Sequence, residues 1–144
     1  MAAERRASVT WNGDLMSGSG TIDAVGSGAF GPLDVSWPAR TEEASRGKTS
    51  PEELIAAAHA SCFSMALSHG LAQAGTVPER LETSATVTFV PGSGITRIAL
   101  AVRGTVPGLD ADGFREAAET AKANCPVSKA LAGVPEIVLD ASLA

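Results

Sequence analysis

Residues 50–75 read SPEELIAAAHASCFSMALSHGLAQAG, and this stretch decides the fold of the chain. Its first residues predict a helix start, because Ser50 can act as the cap and Glu53 completes a capping box. Gly75 is typical of a helix end. Nearly every position between these marks is apolar or small, which indicates a helix that is buried around most of its circumference. One of only two cysteines in the chain, Cys62, lies in its middle.

The length of 144 residues is that of one domain, so we predict a single domain over residues 1–144. Eleven basic and sixteen acidic residues give a net charge of −5 without a Lys/Arg-rich run, which argues against nucleic acid and membrane partners. The opening residues, MAAERRASVTW, have no apolar segment behind their charges, so the sequence predicts no secretory signal and favours the cytoplasm. Polar residues, His59 among them, interrupt the most hydrophobic window, which favours a core helix over a membrane span.

The residues before the central helix predict a small β unit. Apolar and polar residues alternate over 7–11, and the turn sequence NGD follows at 12–14, so a strand and a hairpin open the chain. Two further strands are expected within residues 21–25 and 30–37. Residues 38–49, PARTEEASRGKT, are polar without periodicity, and we predict a loop there.

After the central helix, the spacing of the apolar residues first becomes that of β-strands and then that of a second helix. Residues 85–89 and 98–102 alternate on either side of a PGSG turn, which predicts a β-hairpin. Asp110 is expected to cap a second helix that carries apolar residues at helical spacing. That helix should end near Asn124, because the next residue precedes a proline and avoids the α region.

A short helical turn over residues 126–131 and a final strand over 137–143 complete the pattern, so the predicted fold class is α+β with small antiparallel sheets. A central helix that is apolar on all sides must be buried by other elements on all sides. The two small sheets of one chain do not cover both of its faces. We therefore predict an intertwined homodimer in which two such helices pack together inside the sheets.

Two cysteines, Cys62 and Cys125, are the candidates for chemistry. In a reducing cytoplasm such a pair is more often redox-active or two unrelated thiols than a structural disulfide. Cys62 lies mid-helix, where the helix dipole contributes little, so a positive side chain from elsewhere must ionise it. Cys125 precedes Pro126 at the start of a short helix, where backbone N–H groups favour a thiolate. The alternative is that both are small buried core residues of a non-catalytic binding or structural module.

Two histidines lie on the central helix. His59 is three residues before Cys62 and on the same face, so a Cys–His pair of a hydrolase is a further alternative, although a histidine on an apolar helix is more often a satisfied core residue. His69 lies two turns beyond Cys62 and is expected to be structural or exposed. A zinc site built from both cysteines, His59 and an acid lacks any recognised ligand spacing.

Two motifs, PEELIAAAHASCFSMAL at 51–67 and NCPVSKAL at 124–131, resemble those of the OsmC/Ohr family of thiol-dependent peroxidases. The opening WNGDL, the ITRIAL strand and the VPGLDADGF turn are similar to the osmotically inducible branch, so the likeness covers nearly the whole chain. It implies the OsmC-like fold and reduction of organic hydroperoxides, with hydrogen peroxide as a further candidate substrate. It implies no metal, haem or flavin, because an oxidisable sulfur is the redox centre.

The resemblance also implies roles for single residues. Cys62 matches the peroxidatic cysteine, which becomes a sulfenic acid, and Cys125 matches the resolving cysteine, which forms a disulfide with it. Arg40 and Glu52 match the Arg–Glu pair that supports the reactive thiolate, while Arg46 is an alternative to Arg40 in the same polar stretch. The implied reductant is a dithiol, lipoylated proteins among them.

The spacing of Glu52 and Cys62 adds a geometric expectation. Ten residues of a straight helix separate them by about 15 Å along the axis and roughly 280° around it. The two side chains therefore cannot meet within one chain. If both serve one site, Glu52 and with it Arg40 come from the partner subunit of an antiparallel pair, and the sequence predicts active sites at the dimer interface.

Overall fold

A computed structural model describes the whole chain, residues 1–144. The chain divides into two compact units, Met1–Pro51 and Glu52–Ala144. The first unit contains three strands and a short helix, and the second contains most of the long helix, three strands and two further helices. The fold class is α+β, as predicted.

A three-stranded antiparallel sheet forms most of the first unit. Its strands are β1 (Val9–Asn12), β2 (Ser19–Ile22) and β3 (Leu33–Val35), and β2 lies in the middle. The predicted opening hairpin is confirmed, with Asn12 opposite Ser19 at its turn end. The two strands expected next overlap β2 and β3, which are shorter than the ranges that the alternation indicated.

The stretch that was predicted to be a loop begins with a short helix, α1 (Trp37–Thr41). Ser36 caps it, because its side chain accepts a hydrogen bond from the Ala39 N–H group. Pro38 lies in the first turn, where a missing N–H group is tolerated. The prediction of a continuous loop was wrong here, because five residues are too few to show an apolar period.

The long helix, α2, spans Pro51–Gln73 and confirms the predicted central helix. It ends in a Schellman motif, in which the Thr76 N–H group donates to the Leu71 carbonyl and the Gly75 N–H group to the Ala72 carbonyl. Gly75 has a φ of +87°, a left-handed conformation that favours glycine. By length and composition alone α2 could also cross a membrane, a test that core helices of soluble proteins pass as well.

Within one chain, α2 buries a single stripe of its surface. The buried residues recur about every one or two turns, and they are Glu52, His59, Phe63, Leu67 and Leu71. Away from this stripe, the side chain of Met65 is 71% exposed. The chain thus covers one side of its apolar helix and leaves much of the other side bare.

A second sheet lies in the second unit, with the strand order β4-β5-β6. β4 (Arg80–Val90) and β5 (Gly94–Thr105) form the predicted hairpin, and β6 (Glu136–Leu143) is the predicted final strand. β6 pairs with β5 in parallel. The sheet is therefore mixed, and not antiparallel throughout as expected, because a helical crossover returns the chain to the end of the sheet where β5 begins.

Two helices, α3 (Ala111–Asn124) and α4 (Pro126–Ala130), make this crossover. Asp110 caps α3 as predicted, since its side chain accepts a hydrogen bond of 2.7 Å from the Gly113 N–H group. α3 also ends at the predicted residue. A single residue, Cys125, separates the two helices and is both the C-cap of α3 and the N-cap of α4.

The helices α2 and α3 lie on the same face of the second sheet. Ser64 of α2 bonds Thr83 of β4, and Phe114 of α3 packs on Gly104 of β5, where a Cβ atom would lie 2.6 Å from the ring. The core between helices and sheet consists of Phe63, Leu67, Leu71, Ile98, Leu100, Val102, Val106, Phe114, Ala118, Ala121, Cys125 and Ala141. One of the two candidate thiols is therefore part of the core itself.

Candidate active site

Cys62 is the accessible thiol of the two. It lies on α2 beside the buried stripe, three residues beyond His59. Its neighbour Phe63 is fully buried, whereas Cys62 is partly exposed. Because consecutive helical residues differ in direction by about 100°, Cys62 sits at the boundary between the core and the outer side of α2.

Cys125 is completely buried at the corner between α3 and α4. Its N–H group donates to the Ala121 carbonyl at 2.8 Å and so closes α3. Pro126 then begins α4, and the N–H groups of Val127 and Ser128 in the first turn stabilise negative charge on the Cys125 sulfur. The predicted cap position of Cys125 is confirmed.

The side chains of Cys62 and Cys125 are neighbours that affect each other's pKa, and both are free thiols. Burial raises the pKa of Cys62, and the adjacent Cys125 raises it further, while the Val127 N–H group acts in the opposite direction. Burial also opposes ionisation of Cys125, but hydrogen bonds from Cys62, Ser128 and Val127 outweigh it and lower the pKa of Cys125. When the pair loses one proton, Cys125 is therefore the sulfur on which the negative charge is favoured, and Cys62 keeps its proton.

A buried hydrogen bond links Cys125 to a histidine through a serine. The Ser128 side chain contacts the Cys125 thiol, and its Oγ lies 2.7 Å from Nε2 of His59. Burial lowers the pKa of His59, so its ring is neutral at neutral pH. The other ring nitrogen, Nδ1, is buried without a hydrogen-bond partner. The hydrogen bond that a Cys62–His59 hydrolase requires is therefore absent.

Ser128 is the member of this cluster that the sequence reasoning missed. It belongs to the NCPVSKAL motif, in which the resemblance implies a role only for Cys125. The third residue after an N-cap lies beside the cap, so the three-residue spacing of Cys125 and Ser128 at a helix start was the available signal. No group of three or more His, Cys, Asp or Glu side chains is arranged to hold a metal ion.

The other predicted site residues lie at helix ends. Arg40 is on α1, with its guanidinium carbon 5.8 Å from the centroid of the Trp37 ring, a cation–π contact. Arg46 follows in the next loop, with a φ of 54°. Glu52 lies in the first turn of α2 and is only 6% exposed. Glu52 and Cys62 share one uninterrupted helix, so the expected separation of about 15 Å along its axis applies.

Comparison with known sequences settles the family. The sequence profile of the family described as OsmC-like protein matches residues 43–140. Peroxiredoxin OsmC of Escherichia coli (strain K12) is 42% identical over 146 aligned residues, which cover 99% of each chain. The chain belongs to the OsmC-like family. The resemblance that the two cysteine motifs indicated is confirmed, and this OsmC-like chain matches Peroxiredoxin OsmC of Shigella flexneri with the same identity and coverage.

Solved structures extend the likeness to the fold of the OsmC-like chain. An organic hydroperoxide resistance protein OsmC from Legionella pneumophila has a TM-score of 0.71 at 25% identity, and the match covers 98% of this chain and 99% of that chain. The organic hydroperoxide resistance protein OhrB of Bacillus subtilis has a TM-score of 0.61 at 27% identity, with 96% and 98% covered. The OsmC-like fold expected from the resemblance is therefore confirmed over nearly the whole length.

Proposed function

We propose that this chain is a Cys-based peroxidase that reduces organic hydroperoxides, with hydrogen peroxide as a further substrate. One observation carries the proposal: the only two cysteines of the chain, 63 residues apart, meet as a pair of neighbouring free thiols. The names of the relatives, a peroxiredoxin and organic hydroperoxide resistance proteins, support it. A binding module whose cysteines never meet does not account for this pair.

The proposed reaction uses the two sulfurs in turn. The Cys62 thiolate attacks the distal oxygen of the hydroperoxide, the O–O bond breaks, and the alkoxide takes up a proton and leaves as the alcohol. Cys62 is then a sulfenic acid. Cys125 attacks the Cys62 sulfur, the S–O bond breaks, and hydroxide leaves as water, so that a Cys62–Cys125 disulfide remains. A dithiol, such as a lipoylated protein, reduces this disulfide by exchange and is itself oxidised to a disulfide.

The proposed first step needs a cation beside Cys62. Burial and Cys125 raise the pKa of Cys62, so the groups of its own surroundings favour the protonated thiol. A guanidinium group would favour the thiolate and would also stabilise the negative oxygen that develops as the O–O bond breaks. We assign this role to Arg40, held by Glu52, and Arg46 is the alternative.

We place the active sites at the interface of a homodimer. The position of Glu52 and Cys62 on one helix supports this, because the Glu52 that serves one Cys62 must then be the partner subunit's Glu52, accompanied by the partner subunit's Arg40. The bare side of α2 supplies a surface for the second copy, and a groove of about 540 Å³ lies beside Met65 and His69. An antiparallel pair of such helices gives a self-complementary two-fold interface.

The proposed cycle also indicates a compartment. A disulfide that a dithiol must reduce in each cycle requires reducing surroundings, and both cysteines of the chain are free thiols. We therefore assign the protein to the cytoplasm. The net charge of −5 favours neither nucleic acid nor an anionic membrane surface as a partner in this role.

Oxidation of the reduced protein by a single equivalent of cumene hydroperoxide tests the proposed function. We expect each chain to lose two hydrogens and to yield a peptide in which Cys62 is linked to Cys125, as measured by mass spectrometry. Cys62→Ser should abolish peroxide consumption, and Cys125→Ser should leave Cys62 as a sulfenic acid or a higher oxide. An unchanged mass with both thiols still titratable would contradict the peroxidase, and alkylation by an ester analogue without peroxide sensitivity would favour the hydrolase.

A further inference from the structure

A line of buried polar groups runs from α2 to the corner between α3 and α4, and the reaction described above does not use it. Nε2 of His59 lies 2.7 Å from Oγ of Ser128, and the Ser128 side chain contacts Cys125. His59 is 0% exposed and Ser128 is 8% exposed. Buried polar groups are costly unless they are hydrogen-bonded, so the way in which these three share their protons is tightly constrained.

The Nδ1 atom of His59, which has no hydrogen-bond partner, determines which group donates and which accepts in these hydrogen bonds. Nδ1 is buried and has no partner. A buried N–H group without an acceptor is rarer than a buried acceptor without a donor, so the single proton of the neutral ring lies on Nε2. His59 therefore donates to Ser128. Because Ser128 accepts at this contact, its own hydroxyl proton is free to point at the sulfur of Cys125.

We propose that His59 and Ser128 are positioning residues, which together hold a hydroxyl proton against the Cys125 sulfur and so prepare Cys125 to attack oxidised Cys62. The relay runs in one direction, from the Nε2–H group of His59 to Ser128 and from the Ser128 O–H group to Cys125. Neither side chain contacts the peroxide. Each acts only through Cys125.

The relay has a defined effect on the proposed second step. An O–H donor stabilises a thiolate, which agrees with the lowered pKa of Cys125. The Cys125 thiolate forms a bond to the Cys62 sulfur as the S–O bond breaks, and the departing hydroxide takes up the proton that Cys125 had released. Ser128 keeps its own proton throughout. Two titratable groups of α2 act on Cys125, Cys62 directly and His59 through Ser128, while α4 contributes uncharged N–H and O–H donors.

A titration of Cys125 without peroxide tests the relay directly. In a Cys62→Ser background Cys125 is the only thiol, and the chain has no tyrosine, so ultraviolet absorbance reports its thiolate alone. We expect Ser128→Ala to raise the Cys125 pKa by about one unit, as for loss of one hydrogen bond to a charged group. His59→Leu should raise it by less, because it removes only the donor that orients the Ser128 hydroxyl group. This readout does not depend on the proposed peroxidase activity.

Matched controls separate the relay from a general loss of packing. Ser128→Thr keeps the hydroxyl group, and His59→Gln keeps an N–H donor close to the position of Nε2, so both should retain the original Cys125 pKa. Ser64→Ala removes a hydroxyl group of α2 that bonds Thr83 at 2.8 Å instead, and should have no effect. Circular dichroism at each pH establishes that the titrated variants are folded.

Single-turnover kinetics test the same relay within the proposed cycle, on which this part of the inference rests. Rapid quenching separates formation of the Cys62 sulfenic acid from formation of the disulfide. We expect Ser128→Ala to slow disulfide formation about threefold at neutral pH, because the loss of thiolate is partly offset by its higher nucleophilicity, and to leave sulfenic acid formation unchanged. The slowing should vanish or reverse at alkaline pH, where Cys125 is ionised with or without the Ser128 hydroxyl group and the thiolate of higher pKa is the better nucleophile.

The two measurements distinguish failure of the relay from failure of the proposed function. An unchanged Cys125 pKa in folded Ser128→Ala or His59→Leu overturns the relay, as does disulfide formation that is slowed equally at every pH. If one of the two variants does not fold, the other decides. A raised Cys125 pKa in a chain that consumes no peroxide upholds the relay and refutes the peroxidase.

Discussion

Cys125 owes its lowered pKa to the neighbouring Cys62 thiol and to a helix start. Val127 and Ser128 lie in the first turn of α4, where their N–H groups have no carbonyl partner within the helix. These groups and the Ser128 hydroxyl group stabilise negative charge on the sulfur. Cys62, in the middle of α2, receives this support from Val127 alone, so two chemically identical side chains differ in proton affinity through their positions in the chain.

His59 predicts a pH dependence of stability. Burial holds the pKa of folded His59 below its ordinary value of 6.5, which the unfolded chain retains. As the pH falls through that ordinary value, the unfolded chain binds a proton that the folded chain does not, so stability is lost toward acid and regained toward neutral pH. Between the two pKa values, the slope of the unfolding free energy approaches about 1.4 kcal/mol per pH unit.

Urea unfolding at a series of pH values around that ordinary pKa measures this slope. His59→Gln should lack the contribution of His59, because its amide cannot take up a proton. His69→Gln, at the exposed histidine of the same helix, should keep it and serves as the control. Equal slopes in the wild type and in both variants would show that His59 does not titrate differently on unfolding.

At the scale of elements, β5 and α3 pack so closely at one glycine that only a hydrogen atom fits in place of a side chain. A Cβ atom on Gly104 would lie 2.6 Å from the ring of Phe114, which is fully buried and cannot move aside. Gly104→Ala should therefore lower the unfolding free energy by about 1–3 kcal/mol, as measured by urea unfolding. Gly133→Ala meets nothing within 4 Å and should change it by less than about 0.5 kcal/mol. Similar values for the two variants would contradict this account.

Helix boundaries were predictable because short-range chemistry sets them. The cap at Asp110 and the proline at 126 located the ends of α3 correctly. α1 was not predictable, because a single cap at Ser36 holds five residues that have no apolar period. The direction of β6 was not predictable either, since alternation identifies a strand but its pairing depends on the path of the crossover.

The candidate site was predictable in part. Cap chemistry alone indicated the acidity of Cys125, but a separation of 63 residues contains no information on whether Cys125 meets Cys62. That expectation came from the resemblance. His59 was considered as a partner of Cys62, and the structure pairs it with Ser128, because the corner between α3 and α4 brings a hydroxyl group to its Nε2 atom.

At the scale of the whole molecule, the apolar residues of α2 divide between the core of their own chain and, in the proposed homodimer, the second copy. Hydropathy cannot distinguish these two groups. An apolar residue that faces the core of its own chain and one that faces a second copy look alike in the sequence. In the structure, Phe63 is fully buried while Met65, two residues away, is exposed. The exposed side of α2 is thus the part of the helix whose partner the proposed homodimer supplies.

Mixed dimers test whether residues are shared between subunits. Cys62→Ser and Glu52→Gln chains, each strongly impaired alone, are refolded together. If Glu52 acts across the interface, one site of every mixed dimer joins an intact Cys62 to the partner subunit's Glu52, and random pairing restores about a quarter of the wild-type activity. If Glu52 acts within its own chain, mixing restores nothing. Cys62→Ser mixed with Cys125→Ser is the control, and it should stay inactive because that pair meets within one chain.

The contact of the two sulfurs in the reduced protein has a consequence for motion. Cys62 lies on α2 and Cys125 lies at the start of α4, and the two thiols are neighbours before any oxidant arrives. Where side-chain torsions alone join them, the movement takes picoseconds to nanoseconds, and neither unwinding of α2 nor detachment of α4 is needed. In the proposed cycle, the lifetime of an oxidised Cys62, and with it the risk of damage by a second peroxide, then depends on the ionisation of Cys125 and not on the flexibility of the backbone.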